Sequence, residues 1–209
     1  MNKRLLFLPG AGADPEFWKP LGSLLPDTWE KNYIGWPGLG NQTYSPDVNC
    51  IDDLVSIVEK TLPDQPVDLL AQSMGGHIAV RILLEHPEKI RRVVFTATGA
   101  GLSLADYGGV DWKTDYRKEF TDAKLSIMDE KQDFGNDLSE ISHPVLILCG
   151  DADSICPVNV GERLLQLLPN ATLKIVSGGD HTFAYDFPHK ISEAIIEHLK
   201  IKQGDNFES

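Results

Sequence analysis

The stretch Val67-Asp68-Leu69-Leu70-Ala71-Gln72-Ser73-Met74-Gly75-Gly76-His77-Ile78-Ala79-Val80 decides the fold. An apolar run suited to a buried strand passes straight into a helical pattern, with one serine at the corner. Small residues, Ala71, Gly75 and Gly76, flank that corner. A strand-to-helix turn this tight needs them, because a larger side chain would meet the crossing backbone. The turn also aims the first backbone N–H groups of the new helix at whatever the serine would attack, so one corner can supply a nucleophile and an anion stabiliser. An ordinary turn whose serine only caps the helix fits these residues too, so the rest of the chain must decide.

Outward from the corner, strand and helix patterns alternate without repeats. Strands are expected at about 3–8, 31–35, 66–71, 92–96, 145–149 and 172–176. Asp14-Pro15 makes an N-cap and first-turn pair for a helix carrying Phe17, Trp18, Leu21, Leu24 and Leu25, kinked at Pro20. Further helices are expected at about 47–62, 74–86, 158–168 and 188–201. Continuous apolar strands joined by helices imply a parallel sheet covered on both faces. Residues from about 99 to 142 break the pattern, with no convincing strand and with Tyr116, Phe120, Ala123 and Ile127 at helical spacing. The expectation is one domain over 1–209, with a small helical excursion lying over the strand ends. Tyr107, Trp112, Tyr116 and Phe134 would either line a pocket there or simply pack the excursion to the body.

With 209 residues and 42% apolar content the chain can bury a substantial core. A formal charge of −12 makes nucleic acid or an anionic membrane a poor partner. Lys3-Arg4 before Leu5-Leu6-Phe7-Leu8 and Ala11-Gly12-Ala13 mimics an export signal. Its apolar run ends at Pro9, far short of the roughly 7–15 residues export requires. No stretch approaches the roughly 18 apolar residues of a membrane span, so a soluble, cytoplasmic protein is expected. Cys50, Cys149 and Cys156 make no disulfide framework, and Cys149, Cys156 and His181 lack metal-ligand spacing, so no metal is expected. Gly10 and Gly12 suggest a phosphate cradle, but Pro15 stands where the third glycine belongs and the P-loop lysine is missing. No cofactor is expected.

Open parallel sheets place function outside the carboxyl ends of their strands, where strand order reverses. With an order 2-1-3-4-5-6 the reversal brings the loop Pro9–Ala13 beside Ser73. A serine nucleophile needs a base, and the base needs an acid that holds its tautomer. Among the histidines, His181 follows the last strand in the Gly-rich loop Ser177-Gly178-Gly179-Asp180-His181, from which an imidazole can reach across the sheet edge. The acid should come from Gly150-Asp151-Ala152-Asp153. Composition does not choose between the two aspartates, but Asp153 lies further out over the strand ends and is the expected acid.

By these residues the chain resembles the α/β-hydrolase superfamily over nearly its whole length. Gly10-Ala11-Gly12 with Trp18 resembles that family's His-Gly loop and the tryptophan after it, with Pro9 in place of the histidine. Pro37-Gly38-Leu39-Gly40 resembles its Pro-Gly-x-Gly loop, Gly150 to Asp153 its acid turn, and Gly179-Asp180-His181 its terminal histidine turn. Ala71 replaces the first glycine of the elbow. The resemblance implies an α/β-hydrolase fold with a reduced, mostly parallel six-stranded sheet, helices on both faces and a small helical lid. It implies Ser73, Asp153 and His181 as catalytic residues, with an oxyanion hole from the backbone N–H groups of Ala11 and Met74. Trp18, Tyr107, Trp112 and Tyr116 are expected around a small-molecule substrate.

The leading expectation is a serine hydrolase cleaving small carboxylic esters. Alternatives on the same residues are a thioesterase or acyl-carrier methyl esterase, and a C–C hydrolase. Between 100 and 140 the chain carries ten acidic and five basic residues, a poor landing site for an acidic carrier. A non-catalytic binding protein on the same scaffold is the reading from another class. The sequence assigns no oligomeric state.

Overall fold

The computed structural model describes residues 3–128 and 133–200. Six strands, β1 (Arg4–Leu8), β2 (Glu30–Tyr33), β3 (Val67–Gln72), β4 (Ile90–Thr96), β5 (Val145–Gly150) and β6 (Ala171–Val176), form one sheet in the order β2-β1-β3-β4-β5-β6. Every neighbouring pair is parallel. The helices are α1 (Lys19–Gly22), α2 (Ile51–Thr61), α3 (Met74–Glu85), α4 (Lys113–Glu119), α5 (Val158–Leu167), α6 (Phe183–Asp186) and α7 (Ser192–Leu199).

Side chains of a strand alternate between faces, and the core divides accordingly. Leu6, Leu8, Leu69, Ala71, Val93, Phe95, Val145 and Ile147 pack with α2, α3 and α5 on one face. Leu5, Phe7, Leu70, Val94, Leu146 and Leu148 pack with α1, α6 and α7 on the other. Both faces of β1, β3, β4 and β5 are therefore covered, as their apolar runs require. The edge strands β2 and β6 are partly exposed, so their two faces are not equally apolar. A charge sits inside the sheet: the fully buried Asp68 of β3 pairs with Lys3 at 2.8 Å and Arg91 at 3.1 Å. Those partners offset the cost of burying it.

Several helices are shorter than their patterns. The pattern from Asp14 to Leu25 forms a 3-10 turn, Pro15–Trp18, and then α1. Pro20 sits in the first turn of α1, where a missing N–H costs nothing, so it starts a helix and does not kink one. Helix α2 begins at Ile51, because Asp53 reaches back to the N–H groups of Asn49 and Cys50 and ends the preceding turn. Before α7, residues 188–190 form a separate 3-10 turn; Ile201, the expected end of that helix, lies outside the described residues. In the excursion, α4 ends at Glu119 and Leu125–Met128 is a separate 3-10 turn. Tyr116 and Ile127 are nevertheless both buried, and no strand forms among the excursion's described residues.

Candidate active site

Strand register sets the site. Leu8 lies opposite Ala71, and Gln72 opposite Thr96, so the loop after β1 and the corner after β3 leave the sheet side by side. Ser73 takes φ 51° and ψ −121°, a conformation that costs a side-chain-bearing residue on the order of 1–3 kcal/mol. The surroundings hold it there. Its N–H donates to Thr96 O at 3.1 Å, and its carbonyl accepts from Gly76 N–H at 3.0 Å and from the Thr98 hydroxyl at 2.6 Å. A Cβ at Gly75 would lie 2.5 Å from Leu8 O and 2.6 Å from Pro9 O, both main-chain atoms. Only glycine lets α3 start this close to the end of β1.

His181, on the loop after β6, lies across this corner. Its Nδ1 is 2.9 Å from Asp153 Oδ2, and its Nε2 is 2.9 Å from Ser73 Oγ. Asp153 is fixed from behind, since its Oδ1 accepts the N–H groups of Ile155 and Cys156, each at 2.9 Å. The Asp153 side chain is fully buried and the His181 side chain 20% exposed. A carboxylate can only accept, so Nδ1 carries the imidazole proton, Nε2 is left as an acceptor, and the Ser73 hydroxyl donates to it. Asp151 points elsewhere: its Oδ1 accepts Gly178 N–H at 2.6 Å on the surface. The structure thus brings Ser73, Asp153 and His181 into one hydrogen-bonded chain and leaves Asp151 outside it.

Residues that pattern reading passed over fix this geometry. Gln72 Nε2 donates to the His181 carbonyl at 3.1 Å and ties the histidine loop to the serine strand. Thr98 holds the Ser73 carbonyl and accepts Ala100 N–H at 3.0 Å. Their signal was polarity in an otherwise apolar setting, since Gln72 and Thr98 are both buried. Ala11 lies in the loop after β1, and Met74 is the first position of α3. The Ala11 loop is held by Trp36 Nε1, which donates to Pro9 O at 2.8 Å, and by a turn in which Ala13 N–H donates to Gly10 O at 3.0 Å.

The residues expected around a substrate separate into three groups. Trp18 is a correction: its side chain is fully buried, packed on Phe7 and Phe17, and belongs to the core face of α1, α6 and α7. Tyr116 is 7% exposed, and its hydroxyl donates to Ala11 O and accepts from Gly40 N–H, both at 2.8 Å. Tyr107 and Trp112 are half-buried, the Trp112 ring standing edge-on to Tyr116. Phe134 packs against the ring of His77.

The imagined metal set of Cys149, Cys156 and His181 is engaged otherwise. Both cysteines are buried, burial pushes the Cys149 thiol up to about 12, and both His181 nitrogens are already partnered. Among the described residues Glu59, Glu85 and His86 form the one grouping with metal-ligand proximity, at the ends of α2 and α3, where Arg81 already pairs with Glu85. A large open cleft also lies at the amino ends of the strands, lined by Arg4, Glu30, Arg91, His143 and His198. It is at the wrong end of a parallel sheet for chemistry.

A parallel αβα sandwich with a strained serine at a strand-to-helix corner and a histidine after the last strand is the layout of an α/β-type hydrolase. The model of the alpha/beta hydrolase family matches residues 5–135, and the chain belongs to that family. A pimeloyl-acyl-carrier-protein methyl ester esterase of Neisseria meningitidis is 25% identical, covering 86% of this chain and 71% of its own. A 2-hydroxy-6-oxononadienedioate/2-hydroxy-6-oxononatrienedioate hydrolase of Paraburkholderia phymatum is 22% identical over 91% of this chain and 83% of its own. Among solved structures, a bromoperoxidase from Bacillus anthracis superposes with a TM-score of 0.79 at 18% identity, covering 96% of this chain and 93% of its own. MenH from S. aureus gives 0.76 at 18% identity, covering 95% and 94%. No helix among the described residues is long and apolar enough to cross a membrane.

Proposed function

We propose that the protein is a serine hydrolase that cleaves small carboxylic esters through an acyl-serine intermediate, without a cofactor, in the cytoplasm. The observation that carries this reading is the hydrogen-bonded chain Ser73–His181–Asp153 at a strained corner. In this mechanism His181 Nε2 takes the hydroxyl proton as Ser73 Oγ bonds to the ester carbonyl carbon. The carbonyl oxygen becomes an oxyanion facing the N–H groups of Ala11 and Met74. His181 then gives its proton to the leaving alkoxide as the C–O bond breaks. A water, deprotonated by the same nitrogen, releases the acid and restores Ser73. Asp153 keeps Nδ1 protonated throughout and stabilises the imidazolium that forms twice per cycle.

The relative that acts on an acyl-carrier methyl ester supports a second reading with the same residues. Against it stands the excess of acidic side chains in the excursion, which would repel an acidic carrier. Labelling by a fluorophosphonate, followed by p-nitrophenyl esters of increasing acyl length run beside the matching thioesters, tests both. Labelling at Ser73 with preference for free short esters is expected. A folded protein that neither labels nor turns over any ester would refute the enzyme reading and leave a binding protein.

A further inference from the structure

We propose that Tyr116, on the excursion, is a positioning residue that sets the oxyanion loop through its hydroxyl; this rests on the hydrolase reading above. The loop's three successive carbonyls are each held by a different donor. Pro9 O is held by Trp36 Nε1, Gly10 O by Ala13 N–H, and Ala11 O by the Tyr116 hydroxyl. The last two fix the peptide planes on either side of the Ala11 α-carbon, and hence the direction of its N–H. Of the three donors only Tyr116 comes from outside the strand-end loops, 105 residues along the chain.

The direction of the Tyr116 proton is also determined. Its oxygen accepts Gly40 N–H at 2.8 Å, so its one proton is left for Ala11 O. Gly40 has φ +52°, and a Cβ there would run into Gly12 O, so the loop after β2 is pressed against the loop after β1 with the phenol beneath both. Burial raises the Tyr116 pKa, which keeps the phenol a neutral donor. The ring is packed between Trp112 and Phe120 and cannot swing away without opening that cluster. The loop therefore owes one of its three braces to the excursion, while Pro9 itself offers no side-chain hydrogen bond.

Tyr116→Phe keeps the ring and removes both bonds. Its kcat for p-nitrophenyl acetate, counted per fluorophosphonate-labelled Ser73, should fall about 10- to 100-fold, less than the loss of an oxyanion donor itself. KM should stay within about threefold, and affinity for a trifluoromethyl ketone, whose adduct places an oxyanion in the hole, should fall with kcat. Phe120→Leu, which loosens the same packing but leaves the hydroxyl, should lower the melting temperature without lowering kcat per labelled site. A ring-fluorinated tyrosine at position 116 gives an independent reading, because its phenol ionises at lower pH and a phenolate cannot donate to Ala11 O. Its kcat should fall as pH rises through that ionisation, where wild type does not. Wild-type kcat in Tyr116→Phe, an equal loss in Phe120→Leu, or a fluorotyrosine profile matching wild type would overturn the proposal. Ester turnover surviving in Ser73→Ala, in contrast, would remove the hydrolase reading itself.

Discussion

Replacing Asp153 by Asn changes one atom and should disable the proposed enzyme while leaving it folded. Asp153 Oδ1 accepts two backbone N–H groups, from Ile155 and Cys156 at 2.9 Å. An asparagine must keep its carbonyl oxygen there, because turning its NH2 toward two donors would leave three buried polar groups unpaired. Its NH2 is then forced onto His181 Nδ1, which sits 2.9 Å from the replaced oxygen. Nδ1 must accept, so the imidazole proton moves to Nε2, and Nε2 now donates to Ser73 Oγ. The base has been turned into an acid before the reaction begins. Loss of the correct tautomer costs on the order of 10⁴ in kcat in a serine protease with the same arrangement, about 5.5 kcal/mol of barrier. Asp151→Asn is the matched control: its exposed oxygen can still accept Gly178 N–H, so its kcat should change less than about threefold. Initial rates with a p-nitrophenyl ester, with thermal unfolding to confirm the fold, decide it. Activity of folded Asp153→Asn within tenfold of wild type, or a larger loss in Asp151→Asn, would refute the tautomer argument.

Other outcomes can be checked alongside. Ser73→Ala should lower kcat by on the order of 10⁶, measured on folded protein with the same ester. Gly75→Ala should destabilise the fold by about 1–3 kcal/mol in denaturant titration and lower activity, because its methyl would meet main-chain oxygens of Leu8 and Pro9 that cannot turn aside. His198, which faces Arg92, Lys3 and Asp68, has its pKa lowered to about 4, first by burial and then by Arg92. Above the unfolded value of about 6.5 both states are neutral and its full contribution is present; as pH falls toward 4 the unfolded chain takes the proton first and stability is lost. His198→Gln should therefore flatten the stability profile between about pH 6.5 and 4 by on the order of 2–3 kcal/mol.

The strand order was legible because apolar runs and their connecting helices leave few topologies for a parallel sheet. The meeting of Ser73 with His181 was legible for the same reason: once the order is known, the loops at the strand ends are neighbours. What stayed hidden was anything decided by one long-range contact. Tyr116 reads as one apolar side chain of a helical stripe, and nothing near it in sequence reveals that its hydroxyl meets the main chain of residues 11 and 40. Trp18 follows a glycine loop and reads as lining, yet its ring turns to the opposite face of the sheet. Helix lengths were misjudged where a local alternative satisfied the backbone sooner, as with Asp53 at the start of α2. Gln72 and Thr98 were passed over because a pattern of apolar periodicity gives no weight to the polar residues that interrupt it.

The excursion is hydrogen-bonded to the loops after β1, β2 and β5, which limits how it can move. Lys124 N–H donates to Gly38 O at 2.7 Å, Val110 N–H donates to Ser154 O at 3.0 Å beside the acid, and Tyr116 bridges the loops after β1 and β2. Lifting it as a body would break these four hydrogen bonds, each worth about 1 kcal/mol net, and the exposed ones from Lys124 Nζ to Tyr44 and Asn49 besides. It would also expose the buried ring of Tyr116, at a cost of about 2 kcal/mol. At least about 6 kcal/mol corresponds to an open population below about 10⁻⁴. Such a state would also release the Ala11 carbonyl and loosen the loop that faces the oxyanion. Anchored in this way, the segment is held as part of the scaffold around the Ser73 corner and does not lift as one body.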